Sequence, residues 1–248
     1  MAKSDSVVVY WTPFTNNELY YQLPLLDASP QSLMSDIQNR KITIQNKPIA
    51  NTVNGGGYQA CSAMHTFAKN TFITRSPIEA EIVFDKNGTI SNQTLNSHWF
   101  TPRISSFEGS FACDLDVRYL LFSEHDLDVT LTPAYTHKAE HNNYGFVVPG
   151  QFNISSWLSR IPAVFQTWPG VNKIKINFND PISYLSFNTD KKIELKQFKI
   201  TENIIHQAKA CGNLKFFKQY EPMEKLYERF KKARMQDFIL DEIKKNLV

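Results

Sequence analysis

The string His137-Lys138-Ala139-Glu140-His141 follows H-x-x-E-H, the zinc-binding order of the inverted metalloprotease motif. That chemistry needs both histidines on one helical face, one turn apart, with the glutamate beside them as general base. The context opposes it. Thr132-Pro133 precedes the string and Asn142-Asn143-Tyr144-Gly145 follows, so it falls in a connection between strands too short for a metal-binding helix. An exposed pair of loop histidines is the simpler expectation, and His137, Glu140 and His141 stay metal candidates for a pocket in a β fold. A second cluster, Ser123-Glu124-His125-Asp126-Leu127-Asp128, sets a histidine among carboxylates, as 2-His-1-carboxylate iron sites do. Those sites are often spelled H-x-D, whereas here the spacing is H-D or H-x-x-D. His125 is a further metal candidate, and a solvated turn between two strands explains the acids more simply.

The third constellation is Ser97-His98-Trp99-Phe100-Thr101-Pro102-Arg103, followed by Glu108 and by Cys113-Asp114-Leu115-Asp116-Val117-Arg118. His98, Arg103, Asp114, Asp116 and Arg118 amid aromatics are the candidates for a polar pocket. Ion pairs of Arg103 and Arg118 with Glu108, Asp114 or Asp116 at the rim of a sheet are the plainer alternative. Gly55-Gly56-Gly57 lacks the G-K-[ST] ending of a phosphate loop and reads as a flexible turn. Cys61 and His65, four residues apart, would share a helical face, as a thiolate pair or as a half-buried surface. There is no G-x-S-x-G elbow and no convincing Ser/His/Asp or Cys/His set, so no catalytic residue is assigned.

What positions these residues is mostly β. Runs of β-branched and aromatic residues punctuated by Pro, Gly, Asn and Asp predict strands at 7–11, 41–45, 71–74, 79–84, 116–122, 128–132, 144–148, 163–168, 173–178, 182–188 and 192–200. The alternation Lys-Ile-Lys-Ile-Asn-Phe over 173–178 places Ile174, Ile176 and Phe178 on one face, and 192–198 places Ile193, Leu195 and Phe198 nearly so. Lys86-Asn87-Gly88 and Asn179-Asp180-Pro181 are turn chemistry. Residues 59–69 are helix-friendly. After Ile200 the pattern changes: a helix over 202–210 closed by Gly212, then a longer one from about Pro222 to Leu247. Its stripe of Met223, Leu226, Phe230, Ala233, Leu240, Ile243 and Leu247 lapses near Gln236–Asp237, where a kink is expected. The expected fold is mainly β: a β-sandwich, jelly-roll or β-clip-like body over residues 1–200, with two C-terminal α-helices as a helical appendage over 201–248. That tail either packs back over the body or pairs with another subunit.

Composition narrows the function classes without choosing among them. The chain of 248 residues is 42% hydrophobic and 13% aromatic, which suits a globular protein with a real core. Its net charge of +3 resides in the segment from Lys215 onward, with nine Lys/Arg against six Asp/Glu, so the body is neutral. A nucleic-acid groove needs a basic face through the domain, and none is expected here. No apolar run reaches the roughly 18–20 residues of a membrane-spanning helix, and the opening MAKSDSVVVYWTPF has no signal-peptide pattern. Cys61, Cys113 and Cys211 are isolated and odd in number, which fits a reducing compartment. The sequons at Asn87, Asn92 and Asn153 then carry no meaning.

Ala60-Cys61-Ser62-Ala63 with Asn70-Thr71-Phe72-Ile73-Thr74-Arg75-Ser76-Pro77, then Leu131-Thr132-Pro133, then Phe178-Asn179-Asp180-Pro181-Ile182-Ser183-Tyr184-Leu185-Ser186-Phe187 resembles a family of uncharacterised proteins from tailed marine cyanophages, over roughly residues 10–200. The resemblance implies a virus-encoded protein in the host cytoplasm or the virion, and brings no activity with it. Residues 150–187 are also similar to the end of the β-clip fold of dUTPases. Their catalytic Asp lies in a G-x-V-D-x-x-Y-R-G-like segment, where this chain has Asn153 and no Tyr-Arg-Gly, so that likeness implies the fold alone. The resulting expectation is a non-catalytic binding or assembly protein. It would contact protein partners or its own copies through the C-terminal helix, with no cofactor, nucleic acid or membrane. The alternative is a cupin-like or non-haem metalloenzyme holding Fe(II) or zinc with His98, His125, His137 or His141 and a nearby carboxylate.

Overall fold

The structure, a computed structural model, describes residues 6–14, 30–45, 61–91, 100–115, 119–218 and 220–248, with side chains in 30–45 described through residue 39. Among them the strands are β1 (Ser6–Pro13), β2 (Gln31–Ser32), β3 (Thr71–Arg75), β4 (Ala80–Val83), β5 (Phe100–Arg103), β6 (Ala112–Leu115) and β7 (Tyr119–Ser123). The chain continues through β8 (Asp128–Pro133), β9 (Gly145–Val147), β10 (Gly150–Asn153), β11 (Ala163–Thr167), β12 (Lys173–Ile176), β13 (Pro181–Phe187) and β14 (Lys192–Gln197). The helices are α1 (Leu33–Gln45), α2 (Ser62–Ala68), α3 (Glu202–Phe217), α4 (Met223–Lys232) and α5 (Met235–Lys245). The protein is mainly β with C-terminal helices, as the sequence predicts.

The strands form sheets ordered β14-β1-β7, β10-β8-β13-β3-β2, β5-β6-β11-β9 and β12-β4. All four contribute inward side chains to one core: Val9 and Leu121, Leu131 and Leu185, Cys113 and Phe165, Ile82 and Ile174. The alternating period of the strands makes this possible, since every second residue points the same way. Strand β1 departs from alternation because both of its faces are covered. Val7, Val9 and Trp11 enter the common core, while Tyr10 turns outward to meet the C-terminal helices. Gly145 in β9 has a different reason for being glycine: a Cβ there would stand 2.1 Å from the Gln166 carbonyl oxygen of β11.

The helices form a second core on the outer face of β1 and β7. Ile204, Ala208 and Cys211 of α3, Leu226 and Phe230 of α4, and Ile239, Leu240 and Ile243 of α5 pack on Tyr10, Leu120, Phe122 and Trp157. The tail is three helices rather than the two expected. At 100° per residue, a straight helix would set Ile239 about 180° from Phe230, on the opposite face. The chain breaks instead at Arg234, which takes a left-handed conformation (φ 53°), and both residues are buried. The expected kink thus falls two residues earlier and is a full break. Helix α3 also runs through Gly212 to Phe217 instead of closing there, and its start is capped by the Thr201 hydroxyl, which accepts from Ile204 N.

Two further expectations are corrected. Residues 41–45 belong to α1 and not to a strand. Their Ile-Thr-Ile alternation is short, and the helix is started upstream, where Ser32 Oγ accepts from Ser35 N and Leu33 and Ile37 bury one face. Phe178 lies past the end of β12 and is exposed, unlike Ile174 and Ile176. Similarly, Ile193 faces the common core while Phe198, past the end of β14, faces the helices. No helix among the described residues is long and apolar enough to cross a membrane.

Candidate functional site

The H-x-x-E-H string is not helical through its length; only Glu140–Asn143 makes a 3-10 turn. Its histidines are buried and face different partners, in contrast to the exposed loop pair expected. His137 lies in a relay beneath α1. Its Nε2 is 3.2 Å from Asp36 Oδ2, and its Nδ1 is 2.5 Å from the Tyr184 hydroxyl, which also bonds Thr136 Oγ1. Arg75 Nη2 donates to the other oxygen of Asp36 at 3.2 Å, and the same guanidinium donates from Nε to Gln31 Oε1. A carboxylate only accepts, so Nε2 carries the proton, and in the neutral ring Nδ1 accepts from Tyr184. The order Tyr184–His137–Asp36–Arg75 therefore joins β13, the β8–β9 connection, α1 and β3 through polar groups inside the small apolar cluster of Leu33, Ile37, Ala68 and Ile73. Both ring nitrogens of His137 have protein oxygen partners, so binding a metal would require breaking one of those contacts.

His141, at 1% exposure, packs edge-on to Phe165 with ring centroids 5.9 Å apart, and its Nδ1 has no hydrogen-bond partner. Burial pushes its pKa below the ordinary histidine value, with Asp180 partly opposing. The native ring is therefore harder to protonate than the unfolded one. Below the ordinary pKa of about 6.5, the unfolded chain takes up a proton that the native state resists, so stability falls as pH falls towards the lowered value. Urea unfolding across this range should show that loss in the wild type and a flatter profile in His141→Leu; equal slopes would mean the ring titrates normally. The Asp126 carboxyl acts in a separate, more acidic window. Hydrogen bonding from Asn153, aided by Lys231 and Ser155, holds its pKa below the usual value. Glu140 accepts a hydrogen bond from the Tyr144 hydroxyl at 3.1 Å.

The cluster around His125 is a turn, with His125 exposed. It is also a docking point for the tail. Lys231 of α4 reaches Asp126 at 3.7 Å, Lys244 of α5 reaches Glu124 at 3.1 Å, and the Gln236 amide donates to the Glu124 carbonyl. Among the described residues no three His, Cys, Asp or Glu side chains are grouped so as to hold a metal ion.

The third constellation contains an ion-paired core. Arg103 and Arg160 each donate an Nη2 hydrogen bond to Asp114 Oδ2, at 3.0 and 2.9 Å, across β5, β6 and the segment preceding β11. Asp114 is 1% exposed, and its Oδ1 has no hydrogen-bond partner. His98, Asp116, Arg118 and Gly55–Gly57 lie outside the described residues. Arg160, Asp36 and Tyr184 were not anticipated as members of either network. The relay joins residues 101 and 47 positions apart, a separation at which local spacing carries no signal.

One more network shapes the surface. Buried Gln166 donates to Ser105 Oγ at 2.8 Å and Ser110 Oγ at 2.7 Å, holding the β5–β6 loop from beneath. Ile104 on that loop is 98% exposed. The end of α3 exposes still more apolar surface: Phe216 is 73%, Phe217 78% and Tyr220 93% accessible. Comparison with protein-family models, with curated proteins and with solved structures finds no match.

Proposed function

We propose that this chain is a binding or assembly protein, virus-encoded as the resemblance implies, in which the β body is a rigid scaffold and the helical tail carries the contact. The apolar stripe of α4 and α5, from which a partner contact was expected, packs on the chain's own β1 and β7. The observation that carries the proposal lies elsewhere in the tail. Phe216, Phe217 and Tyr220 stand in solvent at the end of α3, where the preceding half of the helix is anchored by Ile204, Ala208 and Cys211. Clustered exposed aromatics on a fixed element are the composition of an interaction site. Fixing them on an anchored helix lowers the conformational entropy lost on association.

Native mass spectrometry of protein purified without chelator, combined with urea unfolding, tests this. A metal-free protein whose Phe216→Ser/Phe217→Ser variant keeps its unfolding free energy within about 0.5 kcal/mol of the wild type, as contact residues with no structural role should, is the expected result. One equivalent of iron or zinc per chain, lost on replacing His125 or His137, would overturn it in favour of the metalloenzyme. A loss of stability of the size expected for core aromatics would also overturn it, because the two phenylalanines would then be structural.

A further inference from the structure

The charge around the exposed aromatics limits what they can meet. Between Asn203 and Tyr220 the chain has three lysines, Lys209, Lys215 and Lys218, and no Asp or Glu. All three lysines are exposed. The next carboxylate along the chain, Glu221, pairs with Lys218 at 3.7 Å and Arg229 at 3.0 Å. The exposed end of α3 therefore carries aromatics and lysines together, with no carboxylate of its own between Asn203 and Tyr220. Two copies meeting tip to tip would bring two such lysine sets together, and like charges across an interface oppose pairing.

Phe216 and Phe217 also have a defined shape. Their rings meet edge to face, with centroids 5.7 Å apart and planes at 76°. Such a pair suits a pocket, where buried aromatic anchors supply most of the binding energy. On a bilayer, three aromatics and three lysines at one helix end give only the marginal, reversible attachment of a single weak anchor.

Resting on the proposed binding role, we infer that the α3 end docks into a protein surface of complementary chemistry: an apolar pocket rimmed by aspartate and glutamate. Lys209, Lys215 and Lys218 face the acidic rim, and Phe216, Phe217 and Tyr220 fill the pocket. The contact weakens with added salt, because its charged rim is solvent-exposed and screened.

The test uses the full-length chain as bait for a displayed random peptide library, with Phe216→Ser/Phe217→Ser/Tyr220→Ser for counter-selection. Synthetic copies of the enriched peptides are then measured by fluorescence anisotropy. The expected result is enrichment of sequences combining Asp or Glu with Leu, Ile or Phe, whose affinity falls at least about tenfold in the triple variant. Lys209→Glu/Lys215→Glu/Lys218→Glu should cause a similar fall, and far-UV circular dichroism checks that both variants are folded. Enriched peptides that depend on the aromatics but carry no acidic bias would overturn the acidic partner while leaving the binding role in place. Peptides that bind the triple variant as well as the wild type, or no enrichment at all, would overturn both. Binding to phosphatidylserine vesicles in place of peptides would assign the surface to lipid, and self-association lost in the triple variant would assign it to a second copy. Either of those results overturns the inference.

Discussion

Replacing both arginines in Arg103→Ala/Arg160→Ala is expected to destabilise the protein by about 3–5 kcal/mol, the range for stripping a buried charge of its partners. Asp114 is nearly inaccessible, and both of its ion pairs terminate on the same oxygen. With both guanidiniums gone, the carboxylate would lose both of its hydrogen-bond donors. The single variants should each cost less, Arg103→Ala least, because the Arg103 side chain is half exposed and its pair is screened. Urea unfolding of the two single variants and the double variant measures the coupling. Asp114→Asn in the double background should recover part of the loss by removing the charge itself. If the double variant unfolds within about 1 kcal/mol of the wild type, the two arginines do not offset a costly buried charge.

The second large effect concerns the tail. Deleting residues 221–248 removes α4 and α5, and with them the cover over Tyr10, Phe122 and Trp157. The expected product binds a hydrophobic dye, loses cooperative unfolding and precipitates, whatever its assembly state. Phe230→Ala is the point version. Phe230 packs against Phe122 and Trp157, at 6.3 and 6.2 Å between ring centroids, and truncating a buried phenylalanine costs about 3–5 kcal/mol. A truncated chain that stays soluble with a native near-UV spectrum would show the two helices to be dispensable.

How far the sequence was legible depends on the range of the interaction that decides each element. Strands such as β12 and β14, where Ile or Leu alternates with charged residues, show a period of two that needs no partner to be recognised. The tail helices show a period near 3.6, and even their discontinuity is visible as a lapse in the stripe. Helix α1 is not legible in this way, because the β-branched residues at its end resemble a strand while its start rests on a single serine cap. The turn at Ser123–Asp128 was identifiable from its acids. That these acids receive Lys231 and Lys244 depends on a docking more than a hundred residues distant. The pairing of Arg103 with Asp114 was anticipated from proximity in the chain. Arg160, Asp36 and Tyr184 entered their networks only through sheet register and helix packing.

The pairing of β1 with β14 has a consequence for how the protein is made. Ser6 lies beside Lys192 in a parallel ladder, and Gln197, at the far end of the same strand, accepts a hydrogen bond from the amide of Val248. Strand β1 is thus synthesised well before its parallel neighbour and waits for it while the intervening strands are made. Until then Val-Val-Val-Tyr-Trp has neither its parallel partner nor the helices that cover Tyr10. A nascent chain arrested short of β14 should consequently expose this segment to chaperones, and folding of the released protein should be slow for its size, as expected when the decisive contacts join segments far apart in the chain.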